Sequence, residues 1–189
     1  MLYPGNLKKE FNKNINYANR GMNLEALVNE ANKYYEINEI AIIYKKPTPV
    51  TITKVTYEKN KVLTKGQLQS KSSLDYVGVY KGKYLDFDAK STRSKTAFPL
   101  SNISNHQIRH IKNILKHNGL TFLIIEINNE IYLFKGESLM EFIEANERKS
   151  IPYEYLKNKG EKIDLKYNPT LDYLKIVNKL YFKGERYEK

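Results

Sequence analysis

The chain has 189 residues and a net charge of +11 at pH 7, with 32 lysine and arginine residues against 21 aspartate and glutamate residues. This length suits one domain. The excess of basic residues indicates a polyanionic partner, although an A- and T-rich genome can account for some of the lysines. Nucleic acid is favoured as this partner over an anionic membrane surface. The absence of cysteine excludes disulfides, CxxC redox chemistry and cysteine-ligated zinc, and a reduced, cytoplasmic protein is expected.

No segment predicts export or membrane insertion. Residues 1–18 are rich in asparagine and lysine without periodicity, so we expect a flexible basic tail rather than a secretory signal. The longest apolar run, residues 120–125, is far shorter than the roughly 20 residues that a membrane helix needs.

The first elements predicted after this tail are a helix and two strands. Apolar residues recur at helical spacing over residues 23–37, and Asn23 is placed to cap the start. Residues 40–44 and 50–57 favour β-structure. The following lysine-rich segment, residues 58–71, has few apolar side chains, which predicts either a flexible loop or a projecting arm.

The rest of the chain predicts a mixed sheet with further helices. A hairpin is expected over residues 73–90 around a Lys81-Gly82 turn, and a near-continuous apolar run at 120–127 predicts a central strand buried on both faces. Residues 96–105 are predicted to be a polar loop. The other expected elements are helices at 104–117, 138–147, 152–158 and 171–182 and strands at 131–134 and 162–165. The predicted fold class is α/β, an α+β sandwich with a mixed central β-sheet flanked by helices.

One strand of the hairpin carries the residues best suited to catalysis. Alternate side chains of a strand share a face, so Asp86, Asp88 and Lys90 are expected to face away from the apolar residues between them. Pairing across the turn can bring Asp75 beside Asp88. Two carboxylates can hold Mg²⁺, which activates a water and polarises a phosphate, while a lysine stabilises developing charge. This combination predicts phosphodiester cleavage.

Two alternatives to this interpretation come from the same residues. The spacing Asp-x(12)-Asp-x-Lys is the pattern of PD-(D/E)xK nucleases, but in a lysine-rich chain it also fits an exposed polar strand face with ordinary surface ion pairs. His106 and His110 have the i, i+4 spacing of zinc proteases. Zinc hydrolysis is disfavoured, because Gln107 occupies the position of the glutamate that serves as general base in those proteases and no third zinc ligand is evident.

Further motifs make the nuclease interpretation specific. They occur in order: NRGMNLE at 19–25, NEAN at 29–32, KKPTP at 45–49, SSLDYVG at 72–78, YKGKYLDFDAK at 80–90, FPL at 98–100 and HQI at 106–108. With these motifs the chain resembles the RecU family of Holliday-junction resolvases over roughly residues 17–182.

The resemblance implies a restriction-endonuclease-like fold and a metal site. Its ligands to Mg²⁺, for which Mn²⁺ can substitute, correspond to Ser73, Asp75, Asp88 and Gln107, and Lys90 corresponds to the transition-state-stabilising lysine. Asp75, Asp88 and Lys90 are therefore the expected catalytic residues. Ser73 replaces the family's usual threonine, and Asp88 replaces a glutamate found in many members; both changes preserve the chemistry of the ligand.

The resemblance also implies a symmetric homodimer that acts on a four-way DNA junction in recombination and repair. The dimer nicks opposed strands, leaves 5′-phosphate ends and inserts a β stalk into the junction. The stalk corresponds to about residues 55–71 within a nuclease domain spanning 19–189. A recombinase or branch-migration machinery is a further expected partner. The expected DNA contacts are Arg20, Lys59, Lys61, Lys65, Leu68 and Lys71.

Two other functions stay open on the sequence. The chain could be a DNA-structure-binding module that does not cut, or a nuclease of the same fold that acts on ordinary duplex. The presence of all three residues Asp75, Asp88 and Lys90 argues against the first function, and the stalk segment argues against the second.

Overall fold

A six-stranded mixed sheet forms the middle layer of the fold. The computed structural model describes residues 23–47, 50–58, 61–68, 73–182 and 184. The strands are β1 (Ile42–Lys45), β2 (Val50–Glu58), β3 (Lys61–Leu68), β4 (Tyr76–Tyr80), β5 (Lys83–Ser91), β6 (Ala97–Pro99), β7 (Leu120–Ile127), β8 (Glu130–Lys135), β9 (Ser150–Pro152) and β10 (Glu161–Lys162). The helices are α1 (Leu24–Ile37), α2 (Asn105–Lys116), α3 (Gly136–Ala145), α4 (Tyr153–Lys159) and α5 (Tyr173–Tyr181).

The central sheet has the strand order β1-β4-β5-β7-β8-β10. β5 and β7 are parallel and are linked through α2, while the other neighbours are antiparallel. The β4–β5 hairpin turns at Lys81 and Gly82, whose φ angles of 47° and 72° are both positive, as a two-residue hairpin loop of type I′ requires. The mixed sheet flanked by helices, predicted from the sequence, is confirmed.

Two apolar cores lie on opposite faces of this sheet. α1 and α5 pack on one face, and α2, α3 and α4 pack on the other. Phe122 and Ile124 of β7 belong to the first core, whereas Leu123 and Ile125 belong to the second. β7 is therefore buried on both faces, as the continuous apolar run at 120–127 predicts.

An aromatic column fixes the register of the three strands that carry the candidate site. Tyr76, Phe87 and Phe122 are Cα partners across β4, β5 and β7. Their rings stack at centroid distances of 5.0 Å for Tyr76–Phe87 and 4.6 Å for Phe87–Phe122. Because side chains alternate along a strand, this column assigns every β5 residue to a face.

The lysine-rich region contains a two-stranded hairpin. β2 and β3 pair with each other in antiparallel register from Val50↔Leu68 to Glu58↔Lys61, and neither strand joins the six-stranded sheet in the part of the chain that the structure describes. The paired strands begin at Val50, before the expected stalk boundary near 55. Residues 1–18, Arg20, Lys59 and Lys71 lie outside the described residues.

The region from 96 to 105 corrects an expectation. It is not simply a polar loop, because β6 pairs with β9 and a 3₁₀ turn follows at Leu100–Asn102. Phe98 is fully buried against the second core and pairs with Ile151, some fifty positions later, so tertiary packing determines this strand. Among the helices of the described ranges, none has the length and apolar character to cross a membrane.

Gly78 is a position where the fold tolerates no side chain. A Cβ atom there would lie 2.2 Å from the Ile42 carbonyl oxygen and 2.7 Å from the Ile43 Cα, both backbone atoms of β1. We expect Gly78→Ala to destabilise the protein by about 1–3 kcal/mol, because β1 must separate from β4. Urea unfolding measures this change, and an unaltered midpoint would contradict the close packing.

Candidate active site

Two aspartates on β5 lie inside the protein. Asp86 and Asp88 have no exposed surface, although carboxylate side chains are rarely fully buried in proteins. Leu85 and Phe87 face the α1–α5 core, and the two aspartates face α2 on the opposite side. The alternative of an exposed polar strand face is therefore wrong: both carboxylates are buried and held by specific partners.

Both carboxylate oxygens of Asp88 accept hydrogen bonds. Its Oδ2 accepts hydrogen bonds from Lys90 Nζ and from Gln107 Nε2, each at 2.9 Å. Its Oδ1 accepts from the Ala89 backbone N–H at 2.8 Å. The structure thus joins three of the residues singled out from the sequence, Asp88, Lys90 and Gln107, in one cluster.

Asp75 stands across the hairpin from Asp88. β4 begins one residue later, and its register of Tyr76↔Phe87, extended by one residue, pairs Asp75 with Asp88. The Asp75 carbonyl oxygen accepts the backbone N–H of Lys46 at 2.7 Å, which fixes this end of the strand. The sequence prediction that pairing brings the two carboxylates side by side therefore agrees with the observed register.

Burial and charge shift the protonation of Asp88. Burial of the carboxyl group raises the pKa of Asp88 to about 6, with a further contribution from the charge of Asp75, while the ion pair with Lys90 opposes the rise. Ionising this carboxyl group in the folded protein costs free energy, and a bound cation would offset that cost.

Gln107 connects helix α2 to Asp88, one of the expected metal ligands. Ser104 caps α2, and Gln107 completes the capping box: its Oε1 accepts the Ser104 backbone N–H at 3.1 Å. Its Nε2 is left to donate to Asp88. In this orientation Gln107 holds the Asp88 carboxylate, and its oxygen would face a cation only after the amide turns over.

Ser73 and Lys46 form the near side of the site. Lys46 Nζ donates to Ser73 Oγ at 2.8 Å and to Asp86 Oδ2 at 2.9 Å. Ser73, which the sequence predicts as a metal ligand, is thus in direct contact with Lys46, a lysine to which the sequence analysis gave no role. The KKPTP motif contained Lys46, but nothing in its spacing showed that it reaches β5.

Asp86 is the main residue that the sequence interpretation left without a role. Its Oδ2 accepts from Lys46 Nζ, from the Tyr84 hydroxyl and from His110 Nε2, all at 2.9 Å. Burial and this hydrogen bond raise the pKa of Tyr84 to about 12, so its hydroxyl remains a donor. Asp86 Oδ1 is buried with no hydrogen-bond partner in the described structure.

The two histidines do not share a ligand. His110 Nε2 bonds to Asp86, whereas His106 Nε2 lies 3.3 Å from Ser104 Oγ. The zinc alternative therefore receives no support from the described part of the molecule. His110 also differs from an ordinary surface histidine, because it reaches a fully buried carboxylate.

The donor set fits a hard divalent cation that keeps several waters. Asp75 and Asp88 supply carboxylate oxygens, and Ser73 supplies a hydroxyl. Within the described ranges no group of three or more His, Cys, Asp or Glu side chains is close enough to hold a metal ion by itself. This is compatible with Mg²⁺, which binds through one or two carboxylates with waters and substrate phosphates completing its shell.

Three of the six expected DNA contacts lie on one strand of the β2–β3 hairpin. Lys61, Lys65 and Leu68 fall on β3, opposite Glu58, Lys54 and Val50 respectively. The remaining three, Arg20, Lys59 and Lys71, lie outside the described residues, so contact with DNA stays a prediction for all six.

Comparisons with known proteins agree with the motifs. The family described as "RecU: Recombination protein U" matches residues 19–179. Proteins named "Holliday junction resolvase RecU" from Bacillus licheniformis and Oenococcus oeni are 44% and 42% identical, with 95% of this chain and 93% of each relative covered. The protein of that name from Bacillus subtilis is 44% identical over 88% of this chain and 83% of its own.

A solved structure gives a more distant likeness. Archaeoglobus fulgidus Hjc, a Holliday junction resolvase, aligns with a TM-score of 0.41 and 10% identity, covering 71% of this chain and 93% of that one.

The raised pKa of Asp88 leads to a stability prediction for the metal-free protein. Between about pH 4 and pH 6 the folded protein holds a proton that the unfolded chain releases, so ionising Asp88 destabilises the fold as pH rises. We expect Asp88→Asn to raise the free energy of unfolding at pH 8 by on the order of 2–3 kcal/mol, with the difference disappearing near pH 4.

Chemical denaturation in EDTA at the two pH values measures this difference. Mg²⁺ should then narrow the gap at pH 8, because only the wild-type carboxylate gains from the cation. A destabilised Asp88→Asn protein at pH 8, or a difference that does not change with pH, would contradict the electrostatic account.

Proposed function

The chain belongs to the RecU family of Holliday junction resolvases, and from that premise we propose that it is a Mg²⁺-dependent, structure-selective DNA endonuclease. It acts in the cytoplasm during recombination and repair, cutting four-way junctions by paired symmetric nicks, and Mn²⁺ can replace Mg²⁺. The observation that carries the proposal is the arrangement of Asp75, Asp88 and Lys90, with a fully buried Asp88 bonded to Lys90 at 2.9 Å.

Each residue of this cluster has a distinct task. Asp75 and Asp88 would hold the cation, with Ser73 and Gln107 as further ligands. Gln107 would offer its oxygen in the flipped amide orientation, which gives up the hydrogen bond from the Ser104 N–H. When bound, the cation supplies positive charge to the scissile phosphate and acidifies a water.

Lys90 acts on the phosphate itself. Its ammonium group is paired with Asp88, yet 23% of the Lys90 side chain is exposed, so a substrate can reach this lysine. From there it donates to a non-bridging phosphate oxygen and stabilises the charge that develops during in-line attack. The cut leaves 5′-phosphate and 3′-hydroxyl ends.

The proposed homodimer supplies the second active centre. Paired nicks on opposed strands need two centres, and the described part of one chain contains one Asp75–Asp88–Lys90 cluster. An apolar row runs across three strands on the same sheet face as the two aspartates, formed by Ile42, Val79 and Tyr84, which are 67%, 50% and 41% exposed. An exposed apolar row of this kind supports a protein interface, and we assign it to the second copy.

The β2–β3 hairpin is the proposed stalk. β3 places Lys61 and Lys65 on a hairpin that is not part of the central sheet, and lysines at such positions suit sequence-independent contact with phosphates. Leu68, where the family often has an aromatic residue, can wedge between bases rather than stack on one.

The cleavage proposal is tested with a synthetic four-way junction. We expect Asp75→Asn and Lys90→Ala to retain junction binding while the nicking rate in Mg²⁺ falls at least about 100-fold, because Asp75→Asn weakens binding of the cation and Lys90→Ala removes the ammonium group that stabilises charge on the phosphate. A linear duplex of matched sequence serves as the control substrate. Full activity in either variant, or equal cutting of junction and duplex, would contradict the proposal.

The dimer assignment predicts a separate outcome. Val79→Lys puts a charge at the centre of the apolar row and is expected to yield monomers that nick only one strand of a junction. Leu165→Lys is the matched control, because Leu165 is 52% exposed but lies outside the row. Sedimentation velocity reports the mass; a dimeric Val79→Lys protein would remove the assignment of this surface.

A further inference from the structure

Lys46 is held at the candidate active site by three independent contacts. Its backbone N–H donates to the Asp75 carbonyl oxygen at 2.7 Å, and its Nζ donates to Ser73 Oγ at 2.8 Å. The same Nζ forms an ion pair with Asp86 Oδ2 at 2.9 Å. Two of these partners, Ser73 and Asp75, are residues that would hold the cation, so Lys46 is anchored to the same segment of chain as the proposed ligands.

Lys46 repeats the arrangement that Lys90 has with Asp88. Each lysine is paired at 2.9 Å with a fully buried aspartate of β5, and the two aspartates are two residues apart on one sheet face. The exposed fractions of the two lysine side chains, 24% and 23%, are nearly equal. Lys46 is therefore as accessible to a substrate as the lysine to which the catalytic role is assigned.

The donor inventory of Lys46 leaves one N–H for the substrate. An ammonium group has three donors and no acceptor. Ser73 and Asp86 accept two of them, and a substrate can reach the third because 24% of the Lys46 side chain is exposed. A phosphate oxygen is the acceptor that a DNA substrate would bring there.

Asp86 keeps the Lys46 ammonium group in this position. Its Oδ2 is shared by Lys46, the Tyr84 hydroxyl and His110 Nε2, so the carboxylate is fixed from β5 and from α2 at once. A buried carboxylate with this many partners cannot readily move away from Lys46, and removing its charge frees the lysine to swing toward solvent.

On the basis of the proposed function, we propose that Lys46 binds a phosphate of the DNA at the cleavage site, and that Asp86 is the positioning residue that holds it there. This gives the site a second phosphate-binding lysine in addition to Lys90, supplied by the segment between β1 and β2. Asp86 acts only through Lys46.

The phosphate contact is tested by the salt dependence of junction binding in EDTA, where no cutting occurs. Lys46→Met keeps the apolar stem and removes the charge. It is expected to reduce the magnitude of the slope of the logarithm of the binding constant against the logarithm of salt concentration by about 0.9. It is also expected to slow single-turnover nicking in Mg²⁺ at least about 10-fold. Lys46→Arg should restore the slope, because it keeps a charge.

Lys112→Met is the matched control, since Lys112 is an exposed lysine of α2 paired with Glu144. It should leave the slope and the nicking rate unchanged. A wild-type slope in Lys46→Met, or an equal loss in Lys112→Met, overturns the contact while leaving junction cleavage by the wild-type protein intact. A wild-type protein without salt-dependent junction binding removes the contact and the proposed function together.

The role of Asp86 is tested by coupling. Asp86→Asn keeps the side-chain volume, and the double variant Asp86→Asn/Lys46→Met should nick no more slowly than Lys46→Met alone, because Asp86 acts through Lys46. If the fold-losses in nicking rate of the two single variants multiply in the double variant, Asp86 acts independently of Lys46 and its assignment is overturned. If Asp86→Asn fails to fold, the salt slopes of the Lys46 variants still decide the phosphate contact.

Discussion

The register of β4, β5 and β7 determines where the chemistry of this protein can occur. Tyr76, Phe87 and Phe122 stack as neighbours across the three strands on the α1–α5 side of the sheet. Because strand side chains alternate, that column places Asp86 and Asp88 on the opposite face, under α2. A slip of one residue would exchange the faces and bury the carboxylates in an apolar core, so the packing of three rings and the geometry of the site depend on each other.

The central consequence is that two identical carboxylates, two residues apart, have different environments. Asp88 contacts Lys90 and Gln107 and faces Asp75, while Asp86 is surrounded by a lysine, a tyrosine and a histidine. Burying a charge is costly unless partners or a cation offset it. At Asp86 the protein supplies three donors to one oxygen. At Asp88 the charge of Asp75 adds to the cost, and that difference favours a cation between Asp75 and Asp88.

Local patterns predicted much of this from the sequence. Period-two alternation identified the face shared by Asp86, Asp88 and Lys90, and the Lys81-Gly82 turn with positive φ set the hairpin that brings Asp75 opposite Asp88. The unbroken apolar run of β7 indicated burial on both faces. These features depend on neighbours within a few residues or across one tight turn, so periodicity and turn chemistry suffice to predict them.

The remaining features depend on contacts that no local pattern records. Lys46 and Asp86 are forty residues apart in the chain and meet only after β1 pairs with β4. His110 has the spacing of a helix-surface residue, and only the docking of α2 onto β5 shows what it opposes. Phe98 forms a three-residue strand because Ile151 is beside it in space. Gln107 likewise turns its amide nitrogen toward Asp88 because its amide oxygen accepts the Ser104 N–H, a contact that residue spacing does not show.

The most direct test of this division of roles is an anomalous difference map from crystals of the protein soaked in Mn²⁺. The account predicts one peak within bonding distance of carboxylate oxygens of both Asp75 and Asp88, with Lys46 still on Asp86 and no peak bonded to Asp86. A peak coordinated by Asp86, or Mn²⁺ bound without Asp75 and Asp88, would contradict the assignment of Asp88 to the cation and of Asp86 to the lysine.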